Sequence, residues 1–493
     1  MTETSVEPLY APAHPDGLPV GDGWVPVATT APVRFPYAGS LVAHAPLGDV
    51  PLAHTAVEEA LAVRDEVGRL PSHVRRAALL GAQAALAAER DGLEQLLVLE
   101  TGKPLVDCRV EVDRTLLTLT TAAEEVARLH GETVPLDLLP SGEGLLGFWT
   151  RRPIGVVVGI AGFNYPLLLA AHKLAPALAA GCPVIIKPAP QTPLATLWLV
   201  SVVREALARA GAPRAAVQLL TGGVDVGVAL TTDRRIGAVT FTGSAAVGHR
   251  IARDAAPTKV LLELGSNAAL VVAGDADLDA AADAVVRGGY YASGQACISV
   301  QRVLVVETVR EAFLQRLADR MGQVVVGDPR DEATRVSALI DERSTHRVTA
   351  WVEAAVDGGA RLVHGGRVEG GVLAPTVVLD VPAGSDVWDE EVFGPVVAVR
   401  SVASVDEAIE QVNASRYGLH ASVFTASLET AFDAVDRIEA GGVVVNEVPG
   451  FRSDVMPYGG VKDSGIGREG PRFAIEELTV TRMAVIRPRT RRA

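Results

Sequence analysis

The chain predicts an α/β fold of two lobes, each a parallel sheet covered by helices. Three observations carry this. Short runs of Val, Ile and Leu alternate with helical patterns, and the alternation occurs once before residue 265 and again after it. The length, 493 residues, suits two or three domains of about 100–200 residues each. The composition, 48% apolar and 21% charged, is that of an ordinary globular protein with ample core.

Residues 1–50, rich in Pro, Gly and Ala, predict an extended arm with short strands. Ala, Leu and Val recur at helical spacing from Thr55 to Ala88 and from Leu93 to Leu129. Turn residues with apolar pairs between them make Glu132–Thr150 a candidate hairpin. The first series has strands at Ile154–Ile160, Pro183–Ile186, Val217–Leu220, Ala238–Phe241 and Val260–Leu264. Helices are expected between them at Leu167–Ala180, Leu194–Ala210, Val224–Thr231 and Ala245–Ala255. The second series has strands at Ala269–Val272, Gln301–Val306, Val396–Val402 and Gly442–Val445. Its helices are Asp277–Ala292, Val309–Met321, Ser344–Val356, Ser404–Asn413 and Leu428–Ile438. Strands alternating with helices imply parallel sheets with helices on both faces. The β-branched stretch Leu478–Arg487 predicts a terminal strand that pairs elsewhere, with the hairpin of a partner subunit.

Several function classes are excluded. A net charge of −14 opposes nucleic-acid binding, which needs a basic face. Met1–Gly23 has no basic start followed by an apolar run, so it does not read as a secretory signal. The most apolar stretch, Ile154–Gly181, is interrupted by Asn164, Pro166, His172, Lys173 and Pro176, and no membrane span is expected. Three cysteines, Cys108, Cys182 and Cys297, cannot build a disulfide framework and form no C-x-x-C pair. No metal site is expected, and a reduced, cytoplasmic setting follows.

Five places can carry chemistry. Cys297, among the glycine and polar residues of Gly294-Gln295-Ala296-Cys297-Ile298-Ser299, is a candidate nucleophile or a small buried hydrophobe. Glu263, flanked by leucines at a strand end, is a general base with a raised pKa or a buried partner of a cation. Asn164, just after a strand, is an oxyanion donor or a turn residue with positive φ. Phe241-Thr242-Gly243-Ser244 leads into a helix whose first amides suit phosphate, or is an ordinary turn. Lys187 ends a strand and reaches a ribose or phosphate, or is a solvated lysine.

Taken in order, these motifs resemble the aldehyde dehydrogenase superfamily. Pro153-Ile154-Gly155, Phe163-Asn164-Tyr165-Pro166, Lys187-Pro188-Ala189 and Phe241-Thr242-Gly243-Ser244 come first. Leu262-Glu263-Leu264-Gly265 and Gly294-Gln295-Ala296-Cys297 follow, then Glu390-Glu391-Val392-Phe393-Gly394-Pro395 and Tyr417-Gly418-Leu419. Pro457-Tyr458-Gly459-Gly460-Val461-Lys462 and Ser464-Gly465-Ile466-Gly467-Arg468-Glu469 close the series.

The resemblance implies a Rossmann-like cofactor domain (1–130 and 148–263), an α/β catalytic domain (264–473) and a small β oligomerisation arm (131–147 and 474–493). It implies Cys297 as nucleophile, Asn164 with the Cys297 N–H as oxyanion donors, and Glu263 as the base that activates water. Cofactor contacts are implied for Phe163, Lys187, Gly243, Ser244, Val247, Leu264, Glu391 and Phe393. The partners it implies are NAD or NADP, a small aldehyde, and copies of the chain in a homodimer or homotetramer.

Departures bear on these expectations. Pro190 stands where a glutamate often grips the ribose hydroxyls, which removes one reason to reject NADP. The Gly222-Gly223-Val224-Asp225 loop offers no cation for a 2′-phosphate, so NAD is slightly favoured. Tyr458 stands where phenylalanine is frequent and Ser266-Asn267 where Gly-Lys is frequent; neither is expected to touch the catalytic set. Arg452 and Asp454 face the pocket mouth and favour a polar or anionic aldehyde, or form a loop ion pair. Two other readings are a coenzyme A-acylating enzyme, which would not require Glu263, and a cysteine hydrolase, which would require a histidine near Cys297.

Overall fold

The structure, a computed structural model, describes residues 8–11 and 14–488. Residues 1–7, 12–13 and 489–493, parts of the predicted N-terminal and C-terminal arms, lie outside the described residues. An antiparallel pair, Thr30–Arg34 and Leu41–Pro46, leads into helices Val50–Gly68, Ser72–Ala88, Arg90–Thr101 and Leu105–Glu125. Asp49 caps the first of these through the Leu52 N–H. Gly102, at φ 70°, ends the third.

The first large sheet has six strands in the order Gly465–Ile466, Lys259–Glu263, Ala238–Thr242, Val157–Ile160, Val184–Lys187, Val217–Leu219. All are parallel except the two-residue edge strand. Helices Pro166–Ala180, Leu194–Arg209, Val224–Thr231 and Ala245–Ala255 connect its strands. Every residue of Pro166–Ala180 is buried, so this helix runs through the core and not along a surface. The second sheet has seven strands in the order Arg361–His364, Thr376–Leu379, Val396–Val402, Arg302–Val306, Ala269–Val272, His420–Phe424, Gly442–Val445. Only the Arg361–His364 edge is antiparallel.

Two interior strands were not legible in sequence. His420–Phe424 carries polar His420 and Ser422 among its buried residues. Thr376–Leu379 is only four residues long. The terminal strand also differs from expectation. Thr479–Ile486 pairs antiparallel with Leu146–Pro153 of the same chain, which in turn pairs with Glu132–Val134. The helix Pro471–Glu477 turns the chain back, and Ile154 N–H and the Cys182 thiol both donate to Leu478 O. Among the described residues no helix is long and apolar enough to cross a membrane.

Two buried carboxylates from the N-terminal helices hold the first sheet's helices in place. Glu111 accepts from the N–H groups of Leu167 and Leu168 (2.9 and 3.2 Å), at the start of the Pro166–Ala180 helix. Glu100 accepts from Leu194 and Ala195 at the start of Leu194–Arg209. Both carboxyl groups satisfy free amides at a helix start; burial pushes Glu100 up to about 8, so its cap works as a hydrogen-bond acceptor more than as a charge. Glu111 is also ion-paired with Lys103, and both side chains are buried. Removing one partner of a buried pair leaves an uncompensated charge. Glu111→Ala is therefore expected to lower unfolding stability by about 3–5 kcal/mol in denaturant titration. Arg64→Ala, which breaks an exposed pair with Asp65, should leave the midpoint unchanged.

Candidate active site

Cys297 follows a strained turn. Ala292 and Ser293 have left-handed φ (49° and 55°), as does Gly294 (72°), and such backbone disfavours side chains by about 1–2 kcal/mol per residue. A Cβ on Gly294 would lie 2.1 Å from Gly394 O, so glycine is required there. The turn is held from outside: Asp107 accepts from Ala292 N–H (2.9 Å) and Ser293 Oγ from Ser337 N–H (2.9 Å). Gln295 Oε1 accepts from Ile340 N–H at 3.0 Å. Cys297 is partly exposed, whereas Cys108 and Cys182 are fully buried. Its Sγ lies 3.0 Å from Tyr458 Oη. Burial pushes the thiol up to about 11, and the Tyr458 hydrogen bond acts in the opposite direction.

Glu263 ends the Lys259–Glu263 strand with its carboxyl aimed into the same cleft. It is buried, and its Oε2 has no hydrogen-bond partner among the described residues. Burial first, and the nearby Glu469 charge second, hold it well above the usual carboxylate range. Asn164 follows the Val157–Ile160 strand. Its Nδ2 donates to Gln295 O at 2.8 Å, which ties it to the cysteine loop. Lys103 Nζ donates to Asn164 O at 2.8 Å and sits 3.7 Å from the centre of the Tyr165 ring. Asn164 is not in the left-handed region, so the positive-φ turn does not hold; bonds from both sides fix an ordinary backbone.

A bed of charge lies under the cleft. Lys173 Nζ donates to Thr242 Oγ1 (2.6 Å) and Glu469 Oε1 (3.1 Å). Glu469 Oε2 meets Arg452 (3.2 Å) and His172 Nδ1 (3.3 Å). His172 Nε2 is 3.1 Å from Asp454, and Arg114 donates two bonds to Asp454 (3.0 and 2.8 Å). Burial works against both carboxylates, yet their hydrogen-bond and ion-pair partners prevail. Lys173, His172 and Arg452 hold Glu469 well below its usual range, and His172 and Arg114 do the same for Asp454. Arg452 is both things expected of it: it pairs in its loop and lines the cleft. Asp454 is buried away from the cleft.

The cleft is a cavity of about 450 Å³. Cys297, Glu263, Asn164, Phe163, Gly243, Ser244, Leu264, Glu391 and Phe393 all line it, with Arg114, Arg343, Arg347, Arg452 and Tyr458. Phe393 and Phe163 meet edge to face with centroids 5.6 Å apart. Glu391 Oε1 accepts from Ser266 N–H (3.0 Å), and burial pushes its carboxyl up to about 7. A second cavity, about 220 Å³, holds Lys187 and Val247 with Pro190, Val224, Val228 and Arg250. Lys187 is not solvated: burial lowers it to about 8, with Asp225 acting the other way. Ser244 begins the Ala245–Ala255 helix without a side-chain cap bond. Among the described residues no group of three His, Cys, Asp or Glu suits a metal ion.

Residues 24–484 match the family model described as aldehyde dehydrogenase family. The chain belongs to that family. It is 40% identical over 444 residues to the 3-sulfolactaldehyde dehydrogenase of Priestia aryabhattai, covering 87% of this chain and 92% of that one. It is 43% identical over 412 residues to aspartate-semialdehyde dehydrogenase 1 of Pseudomonas canavaninivorans (83% and 86% covered). Its fold superposes on aldehyde dehydrogenase 21 from Physcomitrella patens, solved with the reaction product succinate. The TM-score is 0.93 at 35% identity, over 97% of this chain and 99% of that one. As an aldehyde dehydrogenase the protein is an oxidoreductase, and NAD(P)-dependent aldehyde oxidation is its general reaction.

One departure from the family pattern reaches the catalytic set after all. Tyr458, expected to leave the catalytic set untouched, meets the Cys297 sulfur. Ser266 and Asn267 touch none of Cys297, Glu263 and Asn164: the Ser266 bond to Glu391 is a backbone one that any residue would make, and Asn267 Nδ2 donates to Trp388 O and Asp389 O (3.1 and 3.2 Å), just ahead of Glu391. Sequence reading also passed over Lys173, His172, Glu469 and Arg114. A lysine and a histidine inside an otherwise apolar fifteen-residue helix were a signal. Arg114 gave none, because its partner Asp454 is 340 residues away.

Asp454→Asn should destabilise the protein most above about pH 4, where the unfolded carboxylate is ionised. The native carboxyl is depressed, so its stabilisation fades as pH falls. Denaturant midpoints of the variant and the parent should converge in acid.

Proposed function

We propose that this aldehyde dehydrogenase oxidises a small aldehyde bearing an anionic group, through a thioester on Cys297 that water hydrolyses. The observation that carries the reading is the convergence of Cys297, Glu263 and Asn164 on one cavity with Arg452 and Arg114. The Cys297 sulfur attacks the carbonyl carbon. The oxyanion that forms accepts from the free amide N–H of Asn164 and from the Cys297 N–H. A bound NAD(P)+ would supply the hydride acceptor, and loss of the hydride turns the thiohemiacetal on Cys297 into a thioester. Glu263, once ionised, removes a proton from water, which attacks the thioester; the C–S bond breaks and the carboxylate departs. Burial and the Glu469 charge raise the Glu263 carboxyl, so turnover should rise with pH along its acid limb as the base ionises. A coenzyme A acceptor would leave Glu263 without this task. For a cysteine hydrolase, the side chain bonded to Cys297 is a tyrosine and not a histidine.

The residues present fit a dinucleotide. Glu391, aimed at the cleft and fixed by Ser266, would accept from the nicotinamide ribose, and Phe393 would face the ring. The Ser244 helix start would meet the pyrophosphate. Gly243 and Leu264 would line its path, and Gly248 makes room for Leu264, since a Cβ there would lie 2.2 Å from its Cδ2. Lys187 would reach the adenosine ribose, with Val224 and Val247, both exposed, beside the adenine. We favour NAD: Arg250 in that cavity is paired with Asp254, and Asp225 adds negative charge.

An anionic substrate is supported by the charge bed. Arg452 and Arg114 face the cleft while Glu469 and Asp454 sit beneath. The relatives named for 3-sulfolactaldehyde and aspartate semialdehyde, and the moss enzyme with succinate, share an anionic group beyond the aldehyde. We place the protein in a reduced, cytoplasmic compartment, because Cys297 must stay a thiol. We further infer the cofactor, catalytic and arm domains at the boundaries expected from sequence. Assembly as a homodimer or homotetramer is supported by Leu428, Phe432 and Val435, exposed on one helix face beside the open edge strand Gly442–Val445.

The test is reduced-nicotinamide absorbance with a panel of aldehydes. Cys297→Ser should abolish it. Arg452→Ala should raise KM by about 10–100-fold for a four-carbon aldehyde carrying a carboxylate, the loss of one charge-assisted hydrogen bond. It should change KM little for the uncharged four-carbon aldehyde. Equal KM effects on both aldehydes would remove the anionic reading. In the same assay NAD+ is expected to give the higher kcat/KM; a tenfold preference for NADP+ would reverse that choice.

A further inference from the structure

Tyr458 occupies the most consequential position that the reaction scheme above leaves idle. Its hydroxyl is 3.0 Å from Cys297 Sγ. Its ring is buried, with the Arg452 guanidinium 3.7 Å from the ring centre and the His420 ring 5.1 Å away. Its backbone cannot drift, because Tyr458 N–H donates to Glu469 O and Glu469 N–H donates back to Tyr458 O (3.1 and 2.6 Å). We propose that Tyr458 is a catalytic residue: its O–H donates to the Cys297 sulfur, favours the thiolate and aims it into the cleft. This rests on the reading of Cys297 as the nucleophile.

The chemistry follows from the partners. A phenol is a good donor, and a thiolate is a charged acceptor, so the bond strengthens when the thiol ionises. A cation over the ring draws electron density from the phenol and sharpens its O–H as a donor. The phenol keeps its proton throughout. The thiol proton leaves to water or to an ionised carboxylate, and no electron changes hands. When sulfur bonds to carbon it loses its charge, and the hydrogen bond weakens. Tyr458 therefore acts before the C–S bond forms and raises the fraction of enzyme ready to attack. Phenylalanine at this position would keep the ring packing and lose only the donor.

A donor to a thiolate has a signature that packing lacks. Lowering a thiol pKa by one unit multiplies the thiolate tenfold at a pH below it. It cuts intrinsic nucleophilicity only about threefold, for a Brønsted slope near 0.5. The net gain near neutrality is thus about threefold per unit, and it inverts once both forms are ionised.

The test is alkylation of Cys297 by iodoacetamide in the full-length protein, followed by peptide mass spectrometry across a pH series. Ultraviolet thiolate absorbance, corrected with Cys297→Ser, is titrated in parallel. Tyr458→Phe should raise the thiol pKa by about one unit, the worth of a hydrogen bond to a charged group. It should slow alkylation about threefold at neutral pH while leaving the thermal midpoint in place. An unchanged or lowered thiol pKa in that variant would overturn the proposal. Because alkylation needs no turnover, this outcome is distinct from failure of the nucleophile assignment, which would show as activity surviving in Cys297→Ser.

Discussion

Glu469, buried and shared by Lys173, His172 and Arg452, is the interaction on which the rest of the site depends. Charges removed from water are tolerated only when paired and hydrogen-bonded. Here one carboxylate is satisfied by cations from two elements, the core helix Pro166–Ala180 and the loop that carries Arg452. That requirement fixes the loop against the helix. Backbone bonds between Glu469 and Tyr458 pass the constraint to the tyrosine, and the tyrosine meets the cysteine. Glu469 also raises Glu263 through its negative charge. A single buried anion thus bears on where the arginine sits and how the sulfur is held, and adds to the burial that raises Glu263.

Two glutamates line the cleft and a third lies beneath it, and the three behave differently. Glu469, surrounded by cations, stays ionised far into acid. Glu391, with one backbone donor, is pushed up to about 7 by burial. Glu263, buried, without a hydrogen-bond partner for one oxygen and close to the Glu469 charge, is held well above the usual carboxylate range. The same side chain yields an ion, a group near its titration point and a proton holder, according to partners alone. The three cysteines are sorted in a similar way. Cys108 and Cys182 are fully buried, and only Cys297 stands at the cleft.

Most of the strand and helix pattern was legible in the sequence, because buried parallel strands read as unbroken apolar runs and their covering helices are amphipathic. The misses have physical causes. His420–Phe424 is interior yet polar in pattern, since its histidine finds a backbone acceptor in Pro449 O at 2.9 Å. Thr376–Leu379 is too short to show periodicity. The pairing of Thr479–Ile486 joins it to Leu146–Pro153, a strand remote in the chain, so nothing local announces it. Motif order identified Cys297, Glu263, Asn164 and the cofactor contacts as candidates, and the structure gathers them into two cavities. The supporting charges stayed hidden because ion pairs such as Arg114–Asp454 join residues remote in the chain. Tyr458 was visible as a departure, but its importance lay in a distance that no sequence prints.

The proposed reaction requires an acyl group on Cys297 between oxidation and hydrolysis. The most direct measurement is intact-protein and peptide mass spectrometry of Glu263→Gln after incubation with NAD+ and an anionic aldehyde. With the base removed, one acyl group should remain on Cys297, matched by a single stoichiometric release of reduced nicotinamide. Sustained turnover with no adduct, or an adduct on any residue other than Cys297, would contradict it.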